Sequence, residues 1–296
     1  MARHVQWART EGIAKLVEED RLNPVDRLRV AYRKAGWRRA HPQQRGTARA
    51  VFLLGLQRSG TNMMARGLDE APAFEVRNEN DRAAFDRFRL RFDQVAPLVQ
   101  GSGHAYVLFK PLCDSHRALE LLDLPGLPVP PRALWAYRDV DGRVRSSVAK
   151  FGEANRLALM EIAETDGTTS RWEAGGLTPE SVKTVQDLDP GGLSAASASA
   201  LFWYLRNRLF FDLGLDQRSD VLITSYGRFV AEPERCMRRL CQFLELEYDD
   251  RLVAHVDARS GASGRRVDID PRVRALCDGL TERLETMVRT SGASAS

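Results

Sequence analysis

The sequence predicts an α/β protein in three layers, with a mostly parallel central sheet covered by helices on both faces. Three observations carry that reading. From residue 50 onward short apolar runs ("AVFLLGL", "AFEV", "AYVLF", "RALWAYR", "DVLITSY") alternate with segments of helical pattern, and strands spaced by helices are joined by crossovers into parallel sheets. The 296 residues are 43% hydrophobic and 28% charged, a composition and length that supply a large core. The first apolar run passes directly into a glycine-bounded turn and a helix, "VFLLGLQRSGTNMMARGL", and open parallel sheets bind ligands beyond the carboxyl ends of their strands.

Residues 1–47 are Arg-rich and helical in pattern, with Val25, Leu28, Val30 and Ala31 near helical spacing in "NPVDRLRVAYRKAGW". They read as an N-terminal helical appendage to a single α/β domain over 48–290. Within that domain "TNMMARGLDE", "DRAAFDRFRLRFDQVAPLV", "SHRALELLDL" and "GRVRSSVAKF" are the helical segments between the early strands. Between about 152 and 193 the pattern loosens into Gly, Pro, Thr and Ser, which reads as a long functional loop. "SAASASALFWYLRNRLFFDLGL" is then a long amphipathic helix, and "EPERCMRRLCQFLEL" a helix with Cys236, Leu240, Phe243 and Leu244 on one face. "DPRVRALCDGLTERLETMV" is a final helix entered through Asp270 and Pro271, and 291–296, "SGASAS", is expected to be a disordered tail.

The formal charge is 44 − 40 = +4 without a concentrated Lys/Arg block, so a small anionic ligand fits better than nucleic acid. Only Lys15, Lys34, Lys110, Lys150 and Lys183 are lysines, a bias read as base composition. The first twenty residues hold no signal-peptide apolar stretch, and no later run approaches the ~18 apolar residues of a membrane span; a cytoplasmic protein without a membrane span is expected. Cys113, Cys236, Cys241 and Cys277 have no paired C-x-x-C spacing and the five histidines are dispersed, so neither a disulfide framework nor a zinc site is indicated.

Gly55, four residues and Gly60 have the spacing of a nucleotide-binding P-loop, but Thr61 and Asn62 stand where that motif has Lys and Ser/Thr. A strand, a tight loop and a helix starting near Gly60 still aim backbone N–H groups and a helix dipole at one point, an anion site. Ser59 and Thr61 add hydroxyls and Arg58 a planar charged fork. A second anion site is suggested by "ALWAYRDVDGRVRSSVAKF", where Arg138 ends an apolar strand and Ser146 follows eight residues later. Taken alone, Arg138 could equally be a structural ion pair. Arg143 and Arg145 read as solvated helix charges.

"LLGLQRSGTNMM" resembles the 5′-phosphosulfate loop of the sulfotransferases that use 3′-phosphoadenosine 5′-phosphosulfate (PAPS), a strand followed by Pro-(Lys/Arg)-Ser-Gly-Thr-Thr. "YRDVDGRVRSSVAKF" resembles that family's 3′-phosphate motif. "VLITSYGRFVAEPERCMRRLCQFLELEYD" is similar to its later strand, tyrosine loop and helix. The three blocks stand in the family's order across residues 50 to about 250. The resemblance implies a P-loop-like sulfotransferase architecture, with PAPS as co-substrate, no required metal and a hydroxyl acceptor on a small molecule, carbohydrate or natural product. Arg58, Ser59, Gly60, Thr61 and Asn62 would cradle the 5′-phosphosulfate, Arg138 and Ser146 the 3′-phosphate, and Tyr226 would lie near the adenine. "ARSGASGRR" resembles a loop that closes over the 3′-phosphate through Arg265 or Arg266. The departures are Gln57 for the usual proline, Asn62 for a threonine, Met63 where some members stack a tryptophan, and Gly227 and Arg228 where an acidic pair is usual.

Transfer needs a base for the acceptor proton and cations for the moving sulfonyl group and the leaving phosphate. Glu79 is the candidate base, at a position where bacterial members of the family place a Glu; Glu75 competes but alternates with Phe74 and Val76 as a strand residue. His104 and His116 read as surface or helix-cap residues. Arg58 is a fixed clamp, because guanidinium does not lose its proton, and Lys110, at the end of "AYVLFK", is the second catalytic cation. Residues 80–100, the 152–193 segment, Trp172, Phe202 and Trp203 are expected to frame the acceptor. The alternatives are a P-loop-like ATP-dependent kinase, for which the loop lysine is missing, and a nucleotide-binding protein without catalysis.

Overall fold

The computed structural model describes residues 24–257, 264 and 266–290. Five strands form one sheet in the order β2-β5-β1-β6-β7, every pairing parallel. They are β1 (Arg49–Gly55), β2 (Phe74–Arg77), β5 (Tyr106–Phe109), β6 (Arg132–Tyr137) and β7 (Val221–Ser225), each at one of the sequence's apolar runs. The strand β1 is central, and the chain passes from β5 on one side of it to β6 on the other. The loops after β1 and β6 therefore open at the switch in strand order, where such sheets bind ligands.

Alternate side chains of β1 enter different cores. Phe52 and Leu54 join Phe109, Trp135, Trp203 and Phe210 on one face. Val51 and Leu53 join Leu108, Leu134, Met64 and Met237 on the other. The period of two along the strand thus buries both faces, as a sheet between helical layers requires.

In chain order the helices are α1 (Pro24–Ala40), α2 (Thr61–Glu70), α3 (Phe92–Gly101), α4 (Ala118–Leu122), α5 (Val140–Phe151), α6 (Ala154–Glu164), α7 (Pro179–Asp187), α8 (Ala195–Asp212), α9 (Tyr226–Ala231), α10 (Pro233–Leu244) and α11 (Pro271–Thr290). Asp139 caps α5 by accepting from Gly142 N at 2.6 Å, and Ser194 caps α8 through Ser197 N. Both side chains satisfy an N–H that the helix leaves unbonded. In α8 twelve of eighteen residues are buried, so it is a central helix enclosed on most sides and not the amphipathic surface helix its sequence suggested. On α10 the buried stripe is Met237, Leu240, Cys241 and Leu244, shifted by one position from the expected face.

Three further expectations are corrected. The segment 152–193 is not one loop: it holds α6 and α7, connected over 165–178 through a single 3-10 turn at Trp172–Ala174, and α7 starts on a Thr178 cap with Pro179 in its first turn. The stretch from residue 81 is helical only from Phe92. Before it lies a small antiparallel hairpin, β3 (Phe85–Asp86) with β4 (Arg89–Leu90), whose turn places Arg87 and Phe88 at φ +46° and +70°. The appendage packs on the domain less through its apolar positions than expected. Val30 is buried, Val25 and Leu28 are exposed, and α1 is held by Arg33 on Glu70, Lys34 on Asp69 and Trp37 stacked on His104. Residues 1–23, Arg265 and the tail 291–296 lie outside the described residues.

Among the described residues no helix is long and apolar enough to cross a membrane. No group of three or more His, Cys, Asp or Glu side chains could hold a metal there, and the four cysteines are free.

Among the described glycines, the one with least room for a Cβ is at the carboxyl end of β1. Gly55 has φ +116°, and a Cβ on it would sit 2.2 Å from the Ala136 carbonyl oxygen on β6. Gly55→Ala must push β1 and β6 apart or strain the turn, so it should cost about 3 kcal/mol or more. Urea unfolding checks this, and a midpoint equal to that of the parent chain would refute the packing argument.

Candidate active site

The site forms where β1, β5 and β6 end. Ser115 holds the mouth of the first loop, since its Oγ donates to Gly55 O and accepts from Gly55 N, each at 3.0 Å. The loop then turns at Arg58, φ +71°, and enters α2 through Gly60 at φ +82° with no side-chain cap. A left-handed residue other than glycine costs about 1–3 kcal/mol and clusters at functional sites. Gly60 has a steric reason to be glycine, because a Cβ there would lie 2.3 Å from the Tyr226 ring. Ser59 is fully buried and its hydroxyl has no partner. A buried donor left unbonded costs about 1–3 kcal/mol, so this hydroxyl marks a place made for an acceptor.

The second anion group is beside the first. Arg58 Nε donates to Ser146 Oγ at 2.8 Å, across 88 positions of sequence. The Arg138 guanidinium lies 4.5 Å over the Tyr226 ring, with Nε unbonded and buried and Asp139 3.8 Å away. Arg138 therefore has both an aromatic face and a long ion-pair contact with Asp139, which leaves its guanidinium oriented but without a hydrogen bond at Nε. Trp203, expected on the acceptor side, is fully buried and donates Nε1 to Arg138 O at 2.8 Å; it fixes the strand end. Phe202 is likewise core, edge-on to Trp172 at 5.8 Å. Arg265 lies outside the described residues, and Arg266 is paired with Asp278.

The catalytic candidates meet at one nitrogen. Lys110 Nζ donates to Asn62 Oδ1 at 2.6 Å and lies 3.3 Å from Glu79 Oε2. Lys110 is buried, at 5% exposure, where a charge needs both a counter-charge and hydrogen bonds, and Glu79 and Asn62 supply them. Asn62 thus serves the lysine, a role that the departure from threonine did not suggest. Glu75 is engaged elsewhere, with Arg77 at 2.5 Å and Ser102 at 2.7 Å. Thr61 is buried at the first position of α2.

Several residues of the site were not singled out by sequence, or were misread. Arg143 is buried at 1% exposure, not solvated, and donates to Ser199 O at 3.0 Å and Oγ at 2.8 Å. Burial, then the nearby Arg58, lowers its pKa to about 9, which leaves it charged at neutral pH. The helical stripe Val140, Arg143, Val144, Ser147 was the signal. Gln57 donates to Cys113 Sγ at 3.4 Å, and burial, then Glu79, pushes that thiol up to about 12, so it stays protonated.

Beyond Cys113 the wall is polar. Asp114, 1% exposed, accepts from Arg89 Nε at 2.6 Å and Leu90 N at 2.7 Å and so holds the β3–β4 hairpin to the site. Arg206 donates to Gly175 O at 2.7 Å, with burial lowering its pKa to about 10. His116 is half-buried in the last turn of a short 3-10 helix, and His104 is not a surface residue. His104 is buried at 5% exposure with Nδ1 2.9 Å from Pro72 O, away from the site.

His116 fills the space beside Gly175 and Gly176, where added Cβ atoms would lie 2.5 and 2.7 Å from it. Burial, then Arg206, Arg89 and Arg117, lowers its pKa from 6.5 to about 4. A histidine depressed in the folded state contributes stability above pH 6.5 that is lost as pH falls through 4. His116→Gln should therefore flatten the decline of unfolding free energy between pH 6.5 and 4, measured by urea titration at each pH. An unchanged slope would contradict the burial of a neutral ring.

No known family's sequence model matches the chain, and no curated protein matches it either. Among solved structures it is similar to the sulfotransferase domain of the Synechococcus PCC 7002 olefin synthase, at 13% identity over 82% of this chain and 94% of that one, with a TM-score of 0.44. It is also similar to a sulfotransferase from Alicyclobacillus acidocaldarius, at 15% identity over 81% and 95%, with a TM-score of 0.45.

Proposed function

We propose that the protein is a PAPS-dependent sulfotransferase acting on a hydroxyl acceptor. The observation that carries this reading is the Arg58 to Ser146 hydrogen bond of 2.8 Å. It joins two anion-binding elements, on β1–α2 and on β6–α5, into one site that suits a nucleotide charged at both its 5′ and 3′ ends. The residues fit that group. The unbonded Ser59 hydroxyl, the uncapped start of α2 and Arg58 offer donors to a 5′-phosphosulfate. Arg138, whose Nε makes no hydrogen bond, is the cation for a 3′-phosphate, and Tyr226, under Arg138, offers an aromatic face to the base.

When bound, PAPS supplies an activated sulfonyl group, whose sulfur gains a bond to the acceptor oxygen as its bond to the 5′-phosphate oxygen breaks. Glu79 is the base that takes the acceptor's hydroxyl proton onto Oε1 or Oε2. Lys110, held by Asn62, is a cation with three donors, and only one of them is committed to Asn62. It orients Glu79 and offers positive charge where the transferring oxygens become negative. Arg58 contributes a second fixed charge that cannot be lost as a proton. Cys113 and Gln57 line the space next to Glu79 without titrating at neutral pH.

Calorimetric titration with adenosine 3′,5′-bisphosphate and with ATP tests the donor assignment. Metal-independent preference for the bisphosphate is expected, and Mg²⁺-dependent preference for ATP would move the reading to phosphoryl transfer. Arg138→Ala should weaken the bisphosphate about 10–100-fold, the range of a hydrogen bond to a charged group, while AMP affinity changes little. Equal losses for both nucleotides would remove Arg138 from the 3′ site. Glu79→Gln should keep bisphosphate affinity and lower transfer from labelled PAPS to a panel of hydroxyl acceptors by about 100-fold or more; a rate near that of the parent chain would remove Glu79 as the base.

A further inference from the structure

A cavity of about 530 Å³ lies beside β7, the edge strand of the sheet, between α10 and the end of α11. None of its lining residues belongs to the site described above. Five of them are arginines: Arg228, Arg235, Arg238, Arg239 and Arg289. Two are neutralised, Arg228 by Glu285 and Arg235 by Glu232, each at 2.9 Å. The other three make no ion pair among the described residues. Arg238 lies 3.8 Å over the Tyr248 ring, and Arg289 donates to Thr286 Oγ1 at 2.9 Å. Arg239 donates Nη1 to Val288 O at 3.0 Å.

Arg239 is the informative one. Its Nε and Nη2 are both buried and both unbonded. Those two nitrogens form the side-on edge of the guanidinium, whose parallel N–H groups match two oxygens of a phosphate or carboxylate. Burial, with Arg228 nearby, also presses the pKa of Arg239 down. Each buried N–H of Arg239 without an acceptor costs free energy, and an oxyanion held there, with Arg238 and Arg289 lining the same cavity, removes that penalty. The volume is that of a small-molecule pocket, and no aromatic ring lines it, so recognition rests on charge.

We propose that this cavity is a second anion site, which takes a small molecule through a phosphate or polyphosphate group. Phosphate is favoured over a single carboxylate because three arginines face one space and a phosphate group offers more charge and more acceptor oxygens. The proposal does not depend on the reaction assigned to the other site.

Tripolyphosphate is the probe, titrated calorimetrically into the full chain at low salt. Two binding events are expected. Arg138→Ala should remove one and leave the other, while Arg239→Gln should weaken the second at least tenfold. Arg238→Gln and Arg289→Gln change solvent-facing side chains that leave the fold intact, and each should weaken the same event several-fold. Arg239→Lys should restore some of the affinity, since it returns the charge without the fork. Loss of all tripolyphosphate binding in Arg138→Ala would overturn the proposal, as would unchanged binding in Arg238→Gln and Arg289→Gln. Unchanged binding in Arg138→Ala together with loss in Arg239→Gln would support this site and count against the nucleotide site.

Discussion

The site depends on how closely β1 lies against β6. Gly55 packs its α-carbon against the Ala136 carbonyl with no room for a Cβ, and Ser115 bonds both the N–H and the carbonyl of the same residue. That double constraint fixes where the following loop leaves the sheet. It also brings Arg58, three residues later, to Ser146 on the helix that follows β6. The close packing thus positions the loop after β1 against the β6–α5 corner, and does more than fill the core.

The electrostatics follow from that geometry. Lys110, Arg143 and Arg206 are all buried at the carboxyl edge of the sheet, and each is satisfied differently. Lys110 has a carboxylate, Glu79, and an amide, Asn62. Arg206 and Arg143 have uncharged oxygens, from Gly175 and Ser199. A guanidinium tolerates this better than an ammonium, because its charge is spread and less strongly hydrated. The edge is consequently cationic toward its interior, with Glu79 the carboxylate beside Lys110.

How far the sequence was legible depended on how local the signal was. The five strands and the closing helix were readable because each is a contiguous apolar run or stripe with a turn or cap at its end, as with Pro271 opening α11. The β3–β4 hairpin was not, because its two-residue turn uses Arg87 and Phe88 at positive φ where Asn-Gly is the usual signal. The helix α7 was marked by Thr178 ahead of Pro179, but glycines on either side hid it. In the candidate site, Arg58, Ser59 and Gly60 were singled out from the strand–loop–helix unit after β1 and Arg138 from the separate unit after β6, and the structure brings the two units together through Arg58 and Ser146. The partnership of Lys110 with Asn62 was not, since 48 positions separate them and only the register of β5 beside β1 brings them together. Arg143 was misread because charge was weighed before helical phase.

Tyr226 shows how these elements are coupled. It opens α9 directly after β7. One region of its ring closes against Gly60, where a Cβ would lie 2.3 Å away, and its face carries Arg138 at 4.5 Å. A single aromatic side chain therefore sets both the start of α2 and the direction of the β6 arginine. Behind it the Tyr137 hydroxyl donates to Glu285, the carboxylate that also pairs with Arg228. Arg228 lines the arginine-rich cavity beside β7. One carboxylate, Glu285, is thus shared between a tyrosine at the carboxyl end of β6 and an arginine of the β7 cavity, so the end of the sheet and the last helix are tied together through it.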